Sequence, residues 1–333
     1  MKILAKIPGG IIIVPMLIAI IINTFSPGLL KFGGPTTSLL KEGNQAMMGL
    51  FLICCGSQIN FKQLGLPLYK GSVLLLIKAI VGTAIGFLVG SLWGAYGVLG
   101  LTPLVLISAL TSSNSSLYIA MAGEYGNSSD TGAISVFCLK DGPFITMLAM
   151  GATGLANIPW QQIVAMLIPL LIGALWGNFD AKFRELCDKS TPFVILFMSF
   201  SIGAKSDLST IVTAGMQGIV LSFIALALGV VCFFLYNLFL KKKTPLGILL
   251  GTVAANSALT PSIVAEADPS LKAFVSSATA QAATASIITM ILVPFMLTFA
   301  DNWLKSRVHK EKLNGQPNLK VTKELQGEAK GLT

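Results

Sequence analysis

The chain has 333 residues, 54% of them hydrophobic and only 11% charged, with a mean hydropathy of +0.79. That balance excludes a soluble globule of this length and points to a protein that lives in a bilayer. A net charge of +9 would suit nucleic acid, but its placement along the chain is that of membrane topology, and no nucleic-acid partner is expected.

Apolar runs close to the roughly 17–25 residues needed to cross a bilayer fall near 9–25, 44–60, 70–92, 101–123, 131–153, 159–179, 191–204, 210–240, 246–265 and 273–299. An all-α polytopic protein of about ten transmembrane helices is predicted. The first run follows Lys2 and Lys6 as a signal peptide would, but no small-residue cleavage site succeeds it, so it is read as the first span. In the third run, Gly82, Gly86 and Gly90 form a small-residue face for close helix packing. Lys78 in the same run is expected to snorkel towards the cytoplasmic face. With the N-terminus inside, Lys182, Arg184, Lys189 and Lys241–Lys243 fall in cytoplasmic segments, and the basic residues there outnumber Lys31, Lys41, Lys205 and Lys272 outside. Both termini are then cytoplasmic, and residues 304–333 read as a polar tail.

The chain repeats itself. Aligning Asn114 with Asn256 also aligns Ser115 with Ser257, Leu117 with Leu259 and Glu124 with Glu266, without a gap. Gly56, ending the second run, matches Gly203, ending the seventh; Ile7-Pro8 matches Ile158-Pro159. Five spans per half is an odd number, so the halves (1–154 and 155–303) would insert in opposite senses as an inverted repeat. Spans 1, 2, 6 and 7 carry few polar groups at depth and suggest a scaffold; spans 3–5 and 8–10 suggest a polar transport core.

Small hydroxyl residues interrupt the fourth run at Ser112–Ser116 and the ninth at Ala254–Ala258. Lipid cannot satisfy freed backbone groups, and paired interrupted spans mark a transporter's binding site. If Asn114 and Asn256 cap new half-helices, two positive helix ends would meet near the midplane. Ser112, Ser113, Asn114, Ser115, Ser116, Asn256, Ser257 and Thr260 are therefore the candidate substrate-binding residues, suited to a small hydroxylated anion. Lys140 and Asp141 stand about ten residues into the fifth run; both are proton-coupling candidates, Asp141 foremost, with a structural ion pair as the alternative for it. Glu124 and Glu266 fall at opposite membrane faces, as interface residues or gates, and Gln281 and Thr284 are read mainly as packing. The only histidine, His309, is in the tail, and the five cysteines show no ligand spacing, so no metal or other cofactor is expected. Neither a nucleophile elbow, a His-Glu-x-x-His motif nor a phosphate-cradling loop occurs, so no enzyme is expected.

Lys6-Ile7-Pro8-Gly9-Gly10, Phe25-Ser26-Pro27-Gly28, Asn114-Ser115-Ser116-Leu117-Tyr118, Asp141-Gly142-Pro143 and Leu175-Trp176-Gly177-Asn178-Phe179-Asp180 together resemble the bacterial 2-keto-3-deoxygluconate permease family. That family is similar in architecture to the bile-acid, arsenite and riboflavin transporter group. The resemblance implies ten helices in two inverted five-helix repeats with broken, crossing fourth and ninth helices. It also implies proton-coupled symport of the sugar acid 2-keto-3-deoxygluconate by alternating access in the inner membrane. A sodium-coupled symporter of another organic anion is the alternative. The sodium-coupled branch carries acidic residues ahead of the second crossing Asn, whereas Gly251–Ala255 holds none. The family pattern also leads us to expect an acidic residue where this chain has Thr111, which moves the expected proton site to Asp141.

Overall fold

A computed structural model describes residues 10–61, 65–205, 208–241 and 243–314, and it is helical throughout apart from one isolated bridge between Val98 and Leu101. Five of its helices are long and apolar enough to cross a membrane, or six if the bent pair Pro245–Ala258 and Thr260–Ala267 counts as one span. Two shorter apolar helices, Val14–Phe25 and Asn44–Ser57, cover the first two predicted spans.

Four helices form one group: α1 (Gly10–Phe25), α3 (Asn44–Ser57), α10 (Trp160–Phe179) and α11 (Ala181–Gly203). α3 packs on α10 and α1 on α11, and α11 closes the group against α3 and α10; the short α2 (Gly34–Leu40) lies against α11. Glycines bring these backbones together. A Cβ on Gly56 would collide with the Leu170 carbonyl, and one on Gly203 with the Met16 carbonyl, so the two matched glycines make equivalent contacts in the two helix pairs. Gly173 and Gly177 press on the α3 backbone at Ile53 and Ser57 in the same way. Asn178 then stitches the ends, donating to the Ile59 carbonyl at 2.6 Å and accepting from the Phe61 amide at 2.9 Å.

A leucine at Gly56 is expected to cost at least the roughly 1–3 kcal/mol of an overpacked core. Gly49→Ala on the same helix, where a Cβ meets nothing within 4 Å, should be neutral or slightly stabilising. Thermal unfolding in detergent separates the two, and equal shifts would refute the close-packing account.

The second group is built on α4 (Leu66–Trp93), α12 (Leu208–Leu240) and α14 (Val275–Asn314). Gly82 and Gly86 meet Leu110 and Ile107 of α5 (Pro103–Leu110), and Gly90 meets Leu155 and Pro103, so the glycine face of the third span packs as expected. On the other side, Gly229 of α12 meets Ile248 and Gly251 of the 3-10 helix Pro245–Gly251. Away from these contacts α4 exposes Leu76, Ile80 and Leu88, and α14 exposes Phe295 and Phe299. Such apolar faces belong against lipid.

Three expectations change. The fifth predicted span is a chain of short elements, α7 (Ser128–Gly132), α8 (Ile134–Phe137), a 3-10 turn Cys138–Asp141 and α9 (Phe144–Ala152). Gly142-Pro143 ends the turn, because proline disfavours a helical residue before it and cannot donate to the preceding turn. The seventh begins earlier than expected, at Ala181, capped by Asp180, whose carboxylate accepts from the Lys182 amide at 2.8 Å. Finally, α14 continues to Asn314, through the first residues assigned to the polar tail.

Candidate functional site

The fourth span breaks after α5. The Thr111 hydroxyl donates to the Ile107 carbonyl at 2.7 Å, Ser112 donates to the Ala109 carbonyl, and residues 111–114 leave the helix. Such side-chain competition for backbone acceptors is what hydroxyl residues do at a helix end. α6 (Ser115–Tyr125) then starts afresh with Asn114 as its cap, the side-chain oxygen accepting from the Leu117 amide at 2.9 Å. The ninth span breaks less simply. The 3-10 helix Pro245–Gly251 gives way to extended backbone at Thr252–Ala254, a second 3-10 turn spans Ala255–Ala258, and α13 (Thr260–Ala267) follows at 63°.

The two breaks satisfy each other. The Asn114 amide donates to Thr252 Oγ1 at 2.9 Å, and Ser113 Oγ donates to the Leu249 carbonyl at 3.2 Å and lies 3.0 Å from Thr252 Oγ1. The Ala254 amide reaches Ser112 Oγ at 3.4 Å, joining positions that the repeat pairs, and the Val253 amide donates to Thr289 of α14 at 3.0 Å. Backbone groups that lipid could not serve thus find partners across the crossing.

Beside the crossing lies a cavity of about 380 Å³. One wall comes from the first helix group, with Ile12, Phe51, Gln58, Asp188 and Thr191; the other holds Ser113, Asn114, Ser115, Ser116 and Asn256 with their neighbours. Five of the eight predicted substrate-binding residues therefore share one space. Ser112, Ser257 and Thr260 do not line it: each is buried, and the Ser257 hydroxyl turns back to the Ala254 carbonyl at 2.6 Å. Asn256 does not cap α13, as expected from symmetry, but sits inside the 3-10 turn, with Leu259 in the capping position. The inserted turn displaces the helix start by three residues, from the expected 257 to Thr260, and makes the two breaks unlike.

Lys140 is 2% exposed, yet its Nζ lies 2.7 Å from Ser115 Oγ at the start of α6 and 4.0 Å from the centre of the Phe137 ring. Lys140 does not itself line the cavity but stands behind Ser115, which does, so a cation backs the N-terminus of α6 there, a combination suited to a carboxylate. Asp141 closes the adjoining 3-10 turn; its side chain lies outside the described residues. Thr111, where an acidic residue was expected, is buried, with its hydroxyl 3.2 Å from Thr146.

A further space of about 420 Å³, lined by Ile202, Lys205, Ser262, Glu266 and Lys272 among others, lies near the opposite end of α11 from Asp188. Glu266 there accepts from Asn44 Nδ2 of α3 at 3.2 Å, tying the two helix groups together; its repeat partner Glu124 is exposed. Gln281, 1% exposed, donates to Gly100, Gln217 and Ser277, which fits its packing role.

The sequence model of the 2-keto-3-deoxygluconate permease family matches residues 1–306. The chain belongs to this family. Among relatives, 2-keto-3-deoxygluconate permease 1 of Salmonella typhimurium is 40% identical over 89% of this chain and 93% of its own. The 2-keto-3-deoxygluconate permease of Bacillus subtilis is 32% identical over 91% of this chain and 93% of its own. By shape, a sodium proton antiporter of Methanocaldococcus jannaschii aligns with a TM-score of 0.46 and 14% identity, covering 88% of this chain and 90% of that one. A member of this permease family is a multi-pass membrane transporter and not an enzyme.

Sequence reasoning about this permease missed the wall supplied by α3 and α11. Gln58 stands two residues past Gly56, a matched position of the repeat, which was the available signal, whereas Asp188 and Thr191 fell outside or at the edge of the predicted seventh span. It also misdirected Lys78, which does not snorkel: it is fully buried and donates to the carbonyls of Leu250 at 2.5 Å and Thr252 at 3.4 Å. Lys70, one side of an unforeseen ion pair, is also buried, at 2.5 Å from Asp130.

Proposed function

We propose that the protein imports 2-keto-3-deoxygluconate across the bacterial inner membrane by proton-coupled symport with alternating access. The observation that carries this reading is the cavity between the two helix groups, with the broken fourth span on one wall and α3 and α11 on the other. At about 380 Å³ it is within the roughly 300–1,000 Å³ of small-molecule sites. The substrate carboxylate meets Lys140 and the first turn of α6, and its hydroxyls meet Ser113, Asn114, Ser116, Asn256 and Gln58. The relatives' names supply the substrate; the serine- and amide-lined wall suits it.

The equivalent glycine contacts at Gly56 and Gly203, and the Ser112–Ala254 pairing, support two inverted five-helix repeats (1–154 and 155–303) with ten spans. In that arrangement α1, α3, α10 and α11 are the scaffold against which the core moves. Lys182, Arg184 and Lys189 lie in the part of α11 nearer the cavity, which under the positive-inside rule is the cytoplasmic end. On the other side the Asn44–Glu266 contact joins the two helix groups. Protons are favoured over sodium because residues 251–255 offer no carboxylate to a metal ion.

Uptake of labelled 2-keto-3-deoxygluconate into proteoliposomes tests the reading. An imposed pH gradient, acid outside, is expected to drive accumulation, and a sodium gradient to add nothing. Accumulation driven by sodium alone would transfer the protein to the sodium-coupled alternative, and no uptake under either gradient would refute the transport assignment.

A further inference from the structure

Lys78 is fully buried, and its acceptors are two backbone carbonyls, those of Leu250 and Thr252, where the first half of the ninth span ends. Among the described residues no carboxylate pairs with it. A lysine at membrane depth is costly to keep charged, and carbonyl dipoles at a helix C-terminus stabilise its ammonium without neutralising it. The residue it holds, Thr252, is the one that receives the Asn114 amide through Oγ1 and lies 3.0 Å from Ser113 Oγ. Asn114 and Ser113 both line the cavity. A lysine that gains or loses its charge behind the crossing therefore acts directly on the residues that face the substrate.

We infer that Lys78 is the group that carries the coupling proton, its ammonium occupying the carbonyl end of the broken ninth span in place of a bound metal cation. The inference rests on the proton-coupled reading above and names the residue within it. On the outer side the amine lone pair takes a proton, forming an N–H bond at Nζ. On the cytoplasmic side that bond breaks, the proton leaves to water and the lone pair stays on nitrogen. One proton accompanies one monovalent sugar acid, so the loaded carrier moves no net charge.

Among the described residues, Lys140 from the turn Cys138–Asp141 and Cys232 of α12 are the ionisable side chains that act on Lys78; the side chains of Cys138 and Asp141 in the same turn lie outside the described residues. α5, α8, α9 and the 3-10 helix Pro245–Gly251 contain no titratable residue. Asp130 of α7 is taken by Lys70, and α12 adds the buried Tyr236.

The test compares wild type, Lys78→Gln, Lys78→Arg and Asp141→Asn in proteoliposomes. Two readouts are taken: exchange of labelled for unlabelled 2-keto-3-deoxygluconate without a gradient, and accumulation driven by an imposed pH gradient, with substrate-induced alkalinisation of the medium as a direct proton count. Glutamine still donates to a carbonyl and arginine stays charged, but neither cycles a proton. At least one Lys78 variant should keep exchange while its accumulation falls to the no-gradient level and alkalinisation disappears. Accumulation at the wild-type level in either Lys78 variant overturns the assignment. So does loss of exchange together with accumulation in both, which would make Lys78 a structural part of the crossing. Loss of drive in Asp141→Asn alone would give the role to Asp141. If wild type itself shows neither drive nor alkalinisation, the proton-coupled reading fails before the residue is in question.

Discussion

Replacing Lys140 with methionine is expected to weaken 2-keto-3-deoxygluconate binding by about 30- to 150-fold, the equivalent of the roughly 2–3 kcal/mol lost when one partner of a buried charge-assisted contact is removed. The ammonium is 2% exposed and 2.7 Å from Ser115 Oγ, so it is already oriented and largely stripped of water before the substrate arrives. Methionine keeps the length and apolar stem, which preserves packing against Phe137, 4.0 Å from Nζ in the native chain. A general weakening of the fold would lower affinity for any ligand, and a specific one would not. Isothermal titration with the sugar acid and with its uncharged aldehyde analogue makes that distinction. The wild type should prefer the acid strongly and Lys140→Met should bind the two alike. A variant that keeps the wild-type preference would remove Lys140 from the carboxylate site.

The second large effect concerns stability. Lys70 and Asp130 are 3% and 6% exposed at the side chain, 2.5 Å apart, and joined by Ser129 at 2.8 Å from the ammonium. Asp130 also accepts from the Asn127 amide and completes the cap of α7, while its carbonyl takes the Tyr118 hydroxyl at 3.0 Å. Asp130→Ala leaves a buried ammonium without its counter-charge and is expected to cost roughly 3–5 kcal/mol. The double variant Lys70→Met/Asp130→Leu removes both charges and should recover most of that loss, since the desolvation penalty goes with them. Thermal unfolding in detergent is the measurement; a double variant no more stable than Asp130→Ala would show that α7 capping, not the ion pair, holds this corner.

Most of the chain's axial layout was legible in the sequence because it depends on local chemistry. Apolar length marks where a helix can lie in lipid, and the hydroxyl cluster after Leu110 marks where it stops. Asn114 is a good cap wherever it precedes a helix, and it caps α6. Gly82, Gly86 and Gly90 could be assigned to packing because a four-residue spacing puts them on one helix face, whatever that face meets. Gly142-Pro143 also carried its own signal: a break in the fifth span follows from proline chemistry, and the apolar run around it hid that.

The tertiary structure alone decided what the polar side chains touch. Lys78 has a stem long enough to run to either an interface or a neighbouring carbonyl, and only the position of the ninth span, more than 170 residues away in sequence, selects the carbonyl. Asn256 shares its register with Asn114 and not its role, because a 3-10 turn consumes the residues before α13. Glu124 and Glu266 match in the repeat, yet one is exposed and the other accepts from Asn44, since only one faces the opposite helix group. Periodicity and residue type determined the spans, the breaks and the family resemblance. Helix rotation and the approach of distant segments determined the cavity, its second wall and the surroundings of Lys78, because those contacts join residues whose sequence separation carries no local energetic trace.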